Sequence, residues 1–180
     1  MPCIYLSPSL QAHHVYAGGI GNEERYMNEI ADAMVPYLRA YQIDFVRNDP
    51  QDTLRDIIRR SNASAAGLHL CLHSNTAPSG LSGMLRGPDF YYYAHSACGR
   101  RAAEIFSLRI GALYPNSNLT ASIPNETLPE LQKTRAPALL AELAYHDNYT
   151  DAQWIAAHIP DIAKALADGA AEYLGLPILS

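Results

Sequence analysis

Short apolar runs alternate along the chain with longer stretches in which apolar residues recur every three or four positions. Apolar runs of about four to eight residues that end in turn-forming residues are typical of buried strands. Such runs predict strands at residues 3–6, 43–47, 67–72, 90–93 and 138–144.

The periodic stretches between these runs predict helices. The first predicted helix has Asn22 as its N-cap. Its apolar face is formed by Met27, Ile30, Ala31, Met34 and Leu38. Further helices are predicted around residues 54–58, at 102–113 and at 154–173, the last with Pro160 at a kink or in a first turn. Residues 116–135 contain two prolines and are predicted to form a loop.

The alternation of strands and helices indicates an α/β fold. This order is typical of a mostly parallel sheet with helices packed on its faces. A length of 180 residues fits a single domain spanning residues 1–180. Ligands of such sheets bind at the carboxyl ends of the strands. The polar segments that follow predicted strands, residues 7–14, 73–75 and 142–148, therefore form the candidate site.

Composition narrows the class of function. The net charge is −5, and without clustered Lys and Arg there is no electrostatic basis for binding nucleic acid. Three cysteines do not make a disulfide framework, and no apolar run is long enough to cross a membrane. The first residues lack the basic and apolar segments of a signal peptide. We therefore expect a protein made in the cytoplasm, with neither nucleic acid nor membrane as a partner.

Glu142 is the residue whose position is hardest to explain by folding alone. It lies inside the apolar run 139–144, in a predicted buried strand. A carboxylate in such a place is costly unless it is paired, binds a metal or is functional. We therefore interpret Glu142 as a functional residue whose pKa is raised by burial and which acts as a general acid or base.

Histidines accompany this acid at the predicted strand ends. His73 closes the third strand at a position suited to a metal ligand, whereas His69 is interpreted as a core residue with both ring nitrogens hydrogen-bonded. His13 and His14 are either metal ligands or exposed loop residues. His146 either orients the buried acid or caps the following helix, and capping is the simpler interpretation.

These residue types match a zinc hydrolase. A zinc ion with three protein ligands and one water lowers the pKa of that water to about 7, which supplies a nucleophile for amide hydrolysis. A carboxylate outside the ligand set then moves protons. Histidine and glutamate ligands from separate strand ends, with Glu142 nearby, would meet both requirements.

Three segments resemble the motifs of the zinc-dependent N-acetylmuramoyl-L-alanine amidases of type 3. Residues 23–31, which begin with Glu-Glu, are similar to the second zinc-ligand motif of that family. Residues 70–75, which end in His-Ser-Asn, are similar to the third, and residues 136–142 resemble the strand that ends in the catalytic glutamate. The resemblance covers the chain from about residue 4 to residue 173.

The resemblance implies a fold, a reaction and a set of site residues. The fold is a twisted sheet of about six strands flanked by helices. The reaction is hydrolysis of the amide between N-acetylmuramic acid and L-alanine, with the stem peptide and glycan of peptidoglycan as partners. By position, Glu23 and His73 would be zinc ligands and Glu142 the catalytic residue. Asn75 and Arg86 would bind substrate, although a surface salt bridge is the simpler use of Arg86.

The first zinc-ligand motif departs from the family. Its usual Asp-Pro-Gly-His-Gly-Gly is replaced at residues 7–11 by Ser-Pro-Ser-Leu-Gln, which is similar to a divergent branch that starts with Ser-Pro-Ser-x-Gln. The missing ligand is Gln11, which lies closest to the family position, or His13 or His14, since imidazole is the better zinc ligand. If none of them serves, zinc would be held by two protein ligands with lower affinity, as in a degenerate enzyme. The alternative function is a non-catalytic peptidoglycan-binding module that has lost its metal. Another zinc peptidase or deacylase could use the same constellation.

Overall fold

The computed structural model describes residues 1–179 and contains a six-stranded sheet with helices on both faces. The fold class predicted from the sequence is therefore confirmed. The strands are β1 (Cys3–Pro8), β2 (Asp44–Arg47), β3 (Leu68–Asn75), β4 (Asp89–Tyr93), β5 (Ala121–Asn125) and β6 (Ala138–Tyr145). The helices are α1 (Glu23–Ala40), α2 (Leu54–Ala63), α3 (Ala97–Leu113), α4 (Pro129–Lys133), α5 (Tyr149–Ala157) and α6 (Ile159–Tyr173), with a short 3-10 helix at Ser117–Leu119.

The strand order is β2-β1-β3-β6-β4-β5. β1 pairs in parallel with β2 and β3, and β3 pairs in parallel with β6. β4 runs antiparallel to β6 and parallel to β5. The carboxyl ends of β1, β3 and β6 therefore lie at one edge, and the start of β4 comes to the same edge, where Asp89 pairs in register with Glu142.

Alternation along the strands gives the sheet two different faces. On one face, apolar side chains such as Ile4, Leu70 and Leu139 pack with α1, α3 and α6 in the main hydrophobic core. The opposite face has a smaller core, in which Cys71 and Leu140 pack beside α4. Because polar residues follow these two along the same rows of β3 and β6, the second face carries the chemistry at the carboxyl edge.

Residues 116–135 are not the loop that the sequence predicts. They contain β5, which pairs with β4, and the short helix α4. Pro124 lies within β5, where it is tolerated because this strand forms the edge of the sheet. Pro129 is in the first turn of α4, where its missing N–H would have no helical partner in any case.

The helix boundaries agree only in part with those predicted from the sequence. Asn22 caps α1 as predicted, because its side chain accepts a hydrogen bond of 2.9 Å from the N–H of Arg25. The predicted last helix is divided at His158 into α5 and α6, with Pro160 in the first turn of α6. Within residues 1–179, none of the helices combines the length and the apolar character that spanning a bilayer requires.

Asp151 ties the first turn of α5 to the segment before β4. Its side chain is fully buried and accepts hydrogen bonds from the N–H groups of Gly87 (2.8 Å) and Tyr145 (3.1 Å). The hydroxyl of Tyr114 donates a third at 2.5 Å, and Nε of Arg86 lies 3.4 Å from the same carboxylate. This one side chain therefore satisfies donors from three separate parts of the chain.

Replacing Asp151 with alanine should lower the free energy of unfolding by about 3–5 kcal/mol, because it leaves buried donors without an acceptor. Tyr114→Phe removes one of those donors and should lower it by about 1 kcal/mol. Urea titration followed by circular dichroism measures both. An Asp151→Ala variant that is no less stable than Tyr114→Phe would contradict the role of this network.

Candidate active site

The segment after β1 crosses the carboxyl edge of the sheet and folds back to the start of α1. Val15 forms a β-bridge with Asn22, and the N–H of Glu23 donates to the carbonyl of His14 at 3.0 Å. This fold-back places the side chain of His14 beside that of Glu23.

Glu23 is at the centre of the candidate site. Although it is the first residue of a helix, where surface acids are common, it is only 1% exposed. Nδ1 of His14 lies 2.6 Å from its Oε2, and Nδ1 of His73 lies 2.9 Å from its Oε1. The structure thus brings together Glu23 and His73, which were predicted as a pair, and adds His14 to them.

The three candidates for the missing ligand lie in different places. His14 contacts Glu23, as described. Nε2 of Gln11 lies 3.4 Å from Nδ1 of His73. His13 is exposed, and its ring packs edge-on against that of His14 with centroids 4.3 Å apart. His14 and Gln11 therefore lie at the centre of the site, and His13 lies outside it.

Glu142 lies next to this centre on the neighbouring strand. It pairs in register with His73 of β3 and with Asp89 of β4. Its Oε2 is buried and has no hydrogen-bond partner among residues 1–179. Burial raises the pKa of Glu142 to about 7; His73 opposes the rise, while Glu23 and Asp89 add to it. The raised pKa agrees with the sequence-based expectation, whereas the side chain as a whole is half-buried and only its Oε2 is fully enclosed.

Hydrogen bonding sets the protonation of the central pair. Burial alone would lower the pKa of His73, but its hydrogen bond with Glu23 and the negative charges of Glu142 and Glu23 together outweigh this, and the pKa rises to about 9. For Glu23, burial raises the pKa, whereas the hydrogen bonds with His73 and His14 lower it overall. The carboxylate is therefore ionised at neutral pH and available to the two rings or to a cation.

The interpretation of His146 as a helix cap is wrong. The cap of α5 is Asn148, whose Oδ1 accepts hydrogen bonds from the N–H groups of Thr150 (3.0 Å) and Asp151 (3.2 Å). An N-cap must directly precede the first turn so that its side chain reaches these N–H groups. His146 comes two residues too early for that.

His146 instead packs against the candidate site. It is buried, and its ring stacks on that of His14 with centroids 5.0 Å apart. Its Nδ1 lies 2.9 Å from the carbonyl oxygen of Ser74 and 3.9 Å from Oε2 of Glu23. Sequence reasoning missed this contact because it depends on the fold-back of the segment that carries His14.

The two predicted substrate-binding residues lie near the two ends of the loop between β3 and β4. Asn75 ends β3 and donates a hydrogen bond of 3.3 Å to Asp89, the register neighbour of Glu142. Arg86 forms an ion pair with buried Asp151 at 3.4 Å, and its side chain is 39% exposed. The salt-bridge alternative for Arg86 is thus realised, while contact of either residue with substrate stays a prediction.

His69 is a core residue with both ring nitrogens hydrogen-bonded, as predicted. Its Nδ1 lies 2.8 Å from the hydroxyl of Ser61, and its Nε2 lies 3.0 Å from Oε1 of Glu130. Ser7 donates to the same oxygen at 2.8 Å, and the ring of Tyr5 stacks on His69. Glu130 was missed because it lies on α4, in the segment predicted to be a loop.

A scan against protein-family models matches residues 12–172 to the model described as N-acetylmuramoyl-L-alanine amidase. The chain belongs to this amidase family. The match begins immediately after residues 7–11, the segment that departs from the usual first motif of the amidases. Comparison with the curated proteins gave no match.

Solved structures of amidases share the fold over nearly the whole chain. The catalytic domain of CwlV from Bacillus (Paenibacillus) polymyxa var. colistinus has a TM-score of 0.84 at 16% identity, with 98% of this chain and 100% of that chain covered. AmiC2 of Nostoc punctiforme has a TM-score of 0.82 at 19% identity, with 97% of each chain covered. The catalytic domain of the CD27L endolysin targeting Clostridia Difficile has a TM-score of 0.75 at 22% identity, with 98% of each covered.

Asp147 holds the loop between β3 and β4 over the edge of the site. Its carboxylate accepts hydrogen bonds from the N–H groups of Ala77 (3.2 Å) and Gly83 (2.9 Å). Burial raises the pKa of Asp147, but these N–H groups lower it overall. The loop therefore depends on an ionised side chain that is adjacent in sequence to His146.

Asp147→Asn should lower the free energy of unfolding by about 1 kcal/mol at neutral pH, because an amide is a weaker acceptor for these N–H groups. Since the folded pKa lies below the ordinary value of 3.8, the stabilisation is present above pH about 4 and is lost as the pH falls through the folded pKa. Urea titrations at neutral and acid pH should show the difference from the wild type shrinking in acid. The exposed control Asp44→Asn should show no such trend, and a pH-independent difference for Asp147→Asn would refute the assignment.

Proposed function

We propose that the protein hydrolyses the amide bond between N-acetylmuramic acid and L-alanine in peptidoglycan. The observation that carries this proposal is the convergence of His14 and His73 on the carboxylate of Glu23, with Glu142 on the adjacent strand. Membership of the amidase family supplies the substrate class. The stem peptide and glycan of the cell wall are then the binding partners.

The side chains at this centre are of the types that bind zinc. Ligand atoms of His14, Glu23 and His146 lie within 4.8 Å of one another, and His73 approaches the other oxygen of Glu23; His73 is taken as the third ligand because it lies in the matching family motif. Two imidazole nitrogens and one carboxylate form a ligand set that catalytic zinc sites use, and here both rings direct Nδ1 at the same carboxylate. His14, Glu23 and His73 would hold the metal, with His14 replacing the histidine that residues 7–11 lack. When bound, zinc would lower the pKa of a water molecule to about 7 and polarise the substrate carbonyl.

His146 is assigned a positioning role beside these ligands. Its Nδ1 lies 2.9 Å from the carbonyl of Ser74, so this nitrogen carries a hydrogen and donates it. The ring then stacks on His14 and limits the orientations that the His14 ring can adopt. A side chain that fixes the orientation of a ligand in this way affects the affinity for the metal without binding the metal itself.

Glu142 is assigned the proton transfers. Its buried Oε2 lacks a partner among residues 1–179, and an unsatisfied buried acceptor costs about 1–3 kcal/mol. A water molecule in the site would donate a hydrogen bond to this oxygen. Glu142 would then contact the water that serves as the nucleophile and could accept its proton. A carboxylate with a pKa of about 7 can take a proton from that water and return it to the departing nitrogen of L-alanine.

The zinc assignment predicts different effects for two adjacent histidines. His14→Ala should weaken zinc binding by more than about a hundredfold, which is the upper end of the effect of losing an outer-shell partner. His13→Ala is the matched control and should leave the affinity unchanged, since its ring lies outside the centre. Competition with a chelator measures both affinities. Loss of zinc in Gln11→Ala with retention in His14→Ala would transfer the ligand role to Gln11.

Glu142→Gln should retain zinc and reduce turnover by about 10²- to 10⁴-fold, the usual contribution of a general acid or base. Activity is measured as release of new L-alanine amino termini from purified peptidoglycan while the glycan strands remain intact. Glu104→Gln, an exposed glutamate on α3, is the control and should not change the rate. Full activity in Glu142→Gln would exclude Glu142 from the mechanism.

The same measurements distinguish the proposed amidase from a peptidoglycan-binding module that has lost its metal. That alternative rests on the absence of the usual first-motif histidine from residues 7–11. A module of that kind would bind peptidoglycan, fail to retain zinc and release no amino termini. Release of an amino terminus from a residue other than L-alanine would indicate a different zinc peptidase.

A further inference from the structure

A groove of about 470 Å³ lies between α2 and α4. Its apolar lining is formed by Leu54, Ile58 and Pro129, and Leu54 is 46% exposed. Arg55 of α2 and Lys133 of α4 line the same groove. None of these lining residues belongs to the proposed metal centre or takes part in the proposed proton transfers. The groove is therefore a feature separate from the candidate active site.

The side chain of Asn62 fixes the two walls of the groove relative to each other. Its Nδ2 donates to the carbonyl of Lys133 at 2.8 Å, and its Oδ1 accepts from the N–H of Arg135 at 2.6 Å. These bonds join the carboxyl end of α2 to the segment at the end of α4. Lys133 and Arg135 are both exposed, so two cations are held in place beside α2.

The surface around this groove is positive, although the chain as a whole has a net charge of −5. Residues 52–63 and 129–135 contain five of the 13 basic residues and three of the 18 acidic residues. Each of the three acids already has a partner at 2.9–3.1 Å, which is Arg60 for Asp52, Arg59 for Asp56 and His69 for Glu130. Among residues 1–179, none of Arg55, Lys133 and Arg135 has a carboxylate partner within 4.0 Å. The groove is thus flanked by three cations that an anionic ligand could neutralise.

The apolar lining narrows the class of that ligand. A phosphate polymer would pair with the cations but would leave the apolar side chains exposed to water. An acidic protein segment with apolar residues at helical spacing satisfies both features, because it places apolar anchors in the groove and carboxylates at the rim. The acidic remainder of the chain would repel such a segment, which favours its binding at this one surface.

We propose that the groove between α2 and α4 binds an acidic amphipathic segment of a partner protein. The apolar side chains of that segment would pack on Leu54 and Ile58. Its carboxylates would pair with Arg55, Lys133 and Arg135. This inference goes beyond the amidase reaction and does not depend on it, because the groove lies outside the residues assigned to hydrolysis.

Binding of synthetic peptides to the full chain tests this inference, with dissociation constants measured by calorimetry. The probe is the acidic amphipathic peptide acetyl-EALEELLEEALEEL-amide. Two counterparts separate its features: acetyl-EASEESSEEASEES-amide keeps the acids without the leucines, and acetyl-QALQQLLQQALQQL-amide keeps the leucines without the charge. The probe should bind about tenfold more tightly than either counterpart, and its affinity should fall as salt is added.

Substitutions in the groove locate the binding, and exposed positions are chosen because changes there have little effect on stability. Reversal of both wall charges, Arg55→Glu with Lys133→Glu, should weaken binding of the probe by about tenfold, because attractive pairs become repulsive ones. Leu54→Ser should weaken it by about fivefold, because an apolar contact is lost. The matched controls are Arg39→Glu on α1 and Leu108→Ser on α3, which are exposed residues outside the groove and should leave the affinity unchanged.

Several results would overturn the inference. Equal binding of the serine counterpart, or binding of sodium polyphosphate as tight as that of the probe, would make the groove a general surface for anions. Unchanged affinity in the double charge reversal would place the probe elsewhere on the chain. Formation of a dimer that the double charge reversal abolishes, measured by sedimentation, would make a second copy of the chain the occupant. A probe that shows no measurable binding would reject the inference directly.

Discussion

The buried carboxylate of Glu23 is the constraint on which the site depends. A charge that is 1% exposed at the start of a helix is stable only if partners satisfy its oxygens. Here the partners are two imidazole rings, His14 from the fold-back loop and His73 from the end of β3. Because each ring approaches a different oxygen, the carboxylate fixes the loop, the helix and the strand relative to one another.

The two faces of the sheet explain how such a polar centre coexists with a stable core. β3 and β6 direct alternate residues, such as Leu70 and Leu139, into the main core. The other alternate residues place Cys71 and Leu140 in a smaller core, with the hydrogen-bonded His69 nearer the amino end of β3 and with His73 and Glu142 at the carboxyl edge. The two faces of the same strands therefore separate the main core from the polar residues of the candidate site.

Much of this arrangement could be predicted from the sequence because it rests on local patterns. The strand alternation, the apolar face of α1, the Asn22 cap and the unexpected acid at Glu142 are all visible within a few residues. β5 and α4 were missed because prolines obscure an edge strand and a short helix. The environments of His146, Glu130 and Asp151 were missed for a different reason. Each is defined by partners distant in the chain, and no local pattern records such a contact.

A metal ligand on a loop, as proposed for His14, has a structural requirement of its own. A strand end is held by its neighbours, whereas a loop residue must be fixed by other bonds if it is to bind a metal precisely. The loop that carries His14 has such bonds: the N–H of Ala17 donates to the carbonyl of His146 at 2.8 Å, and that of Tyr16 to the carbonyl of Gly21 at 2.9 Å. Together with the ring of His146 stacked on His14, these contacts tie the loop to the segment that follows β6. A loop fixed in this way supports the proposal that His14 replaces the ligand that residues 7–11 lack.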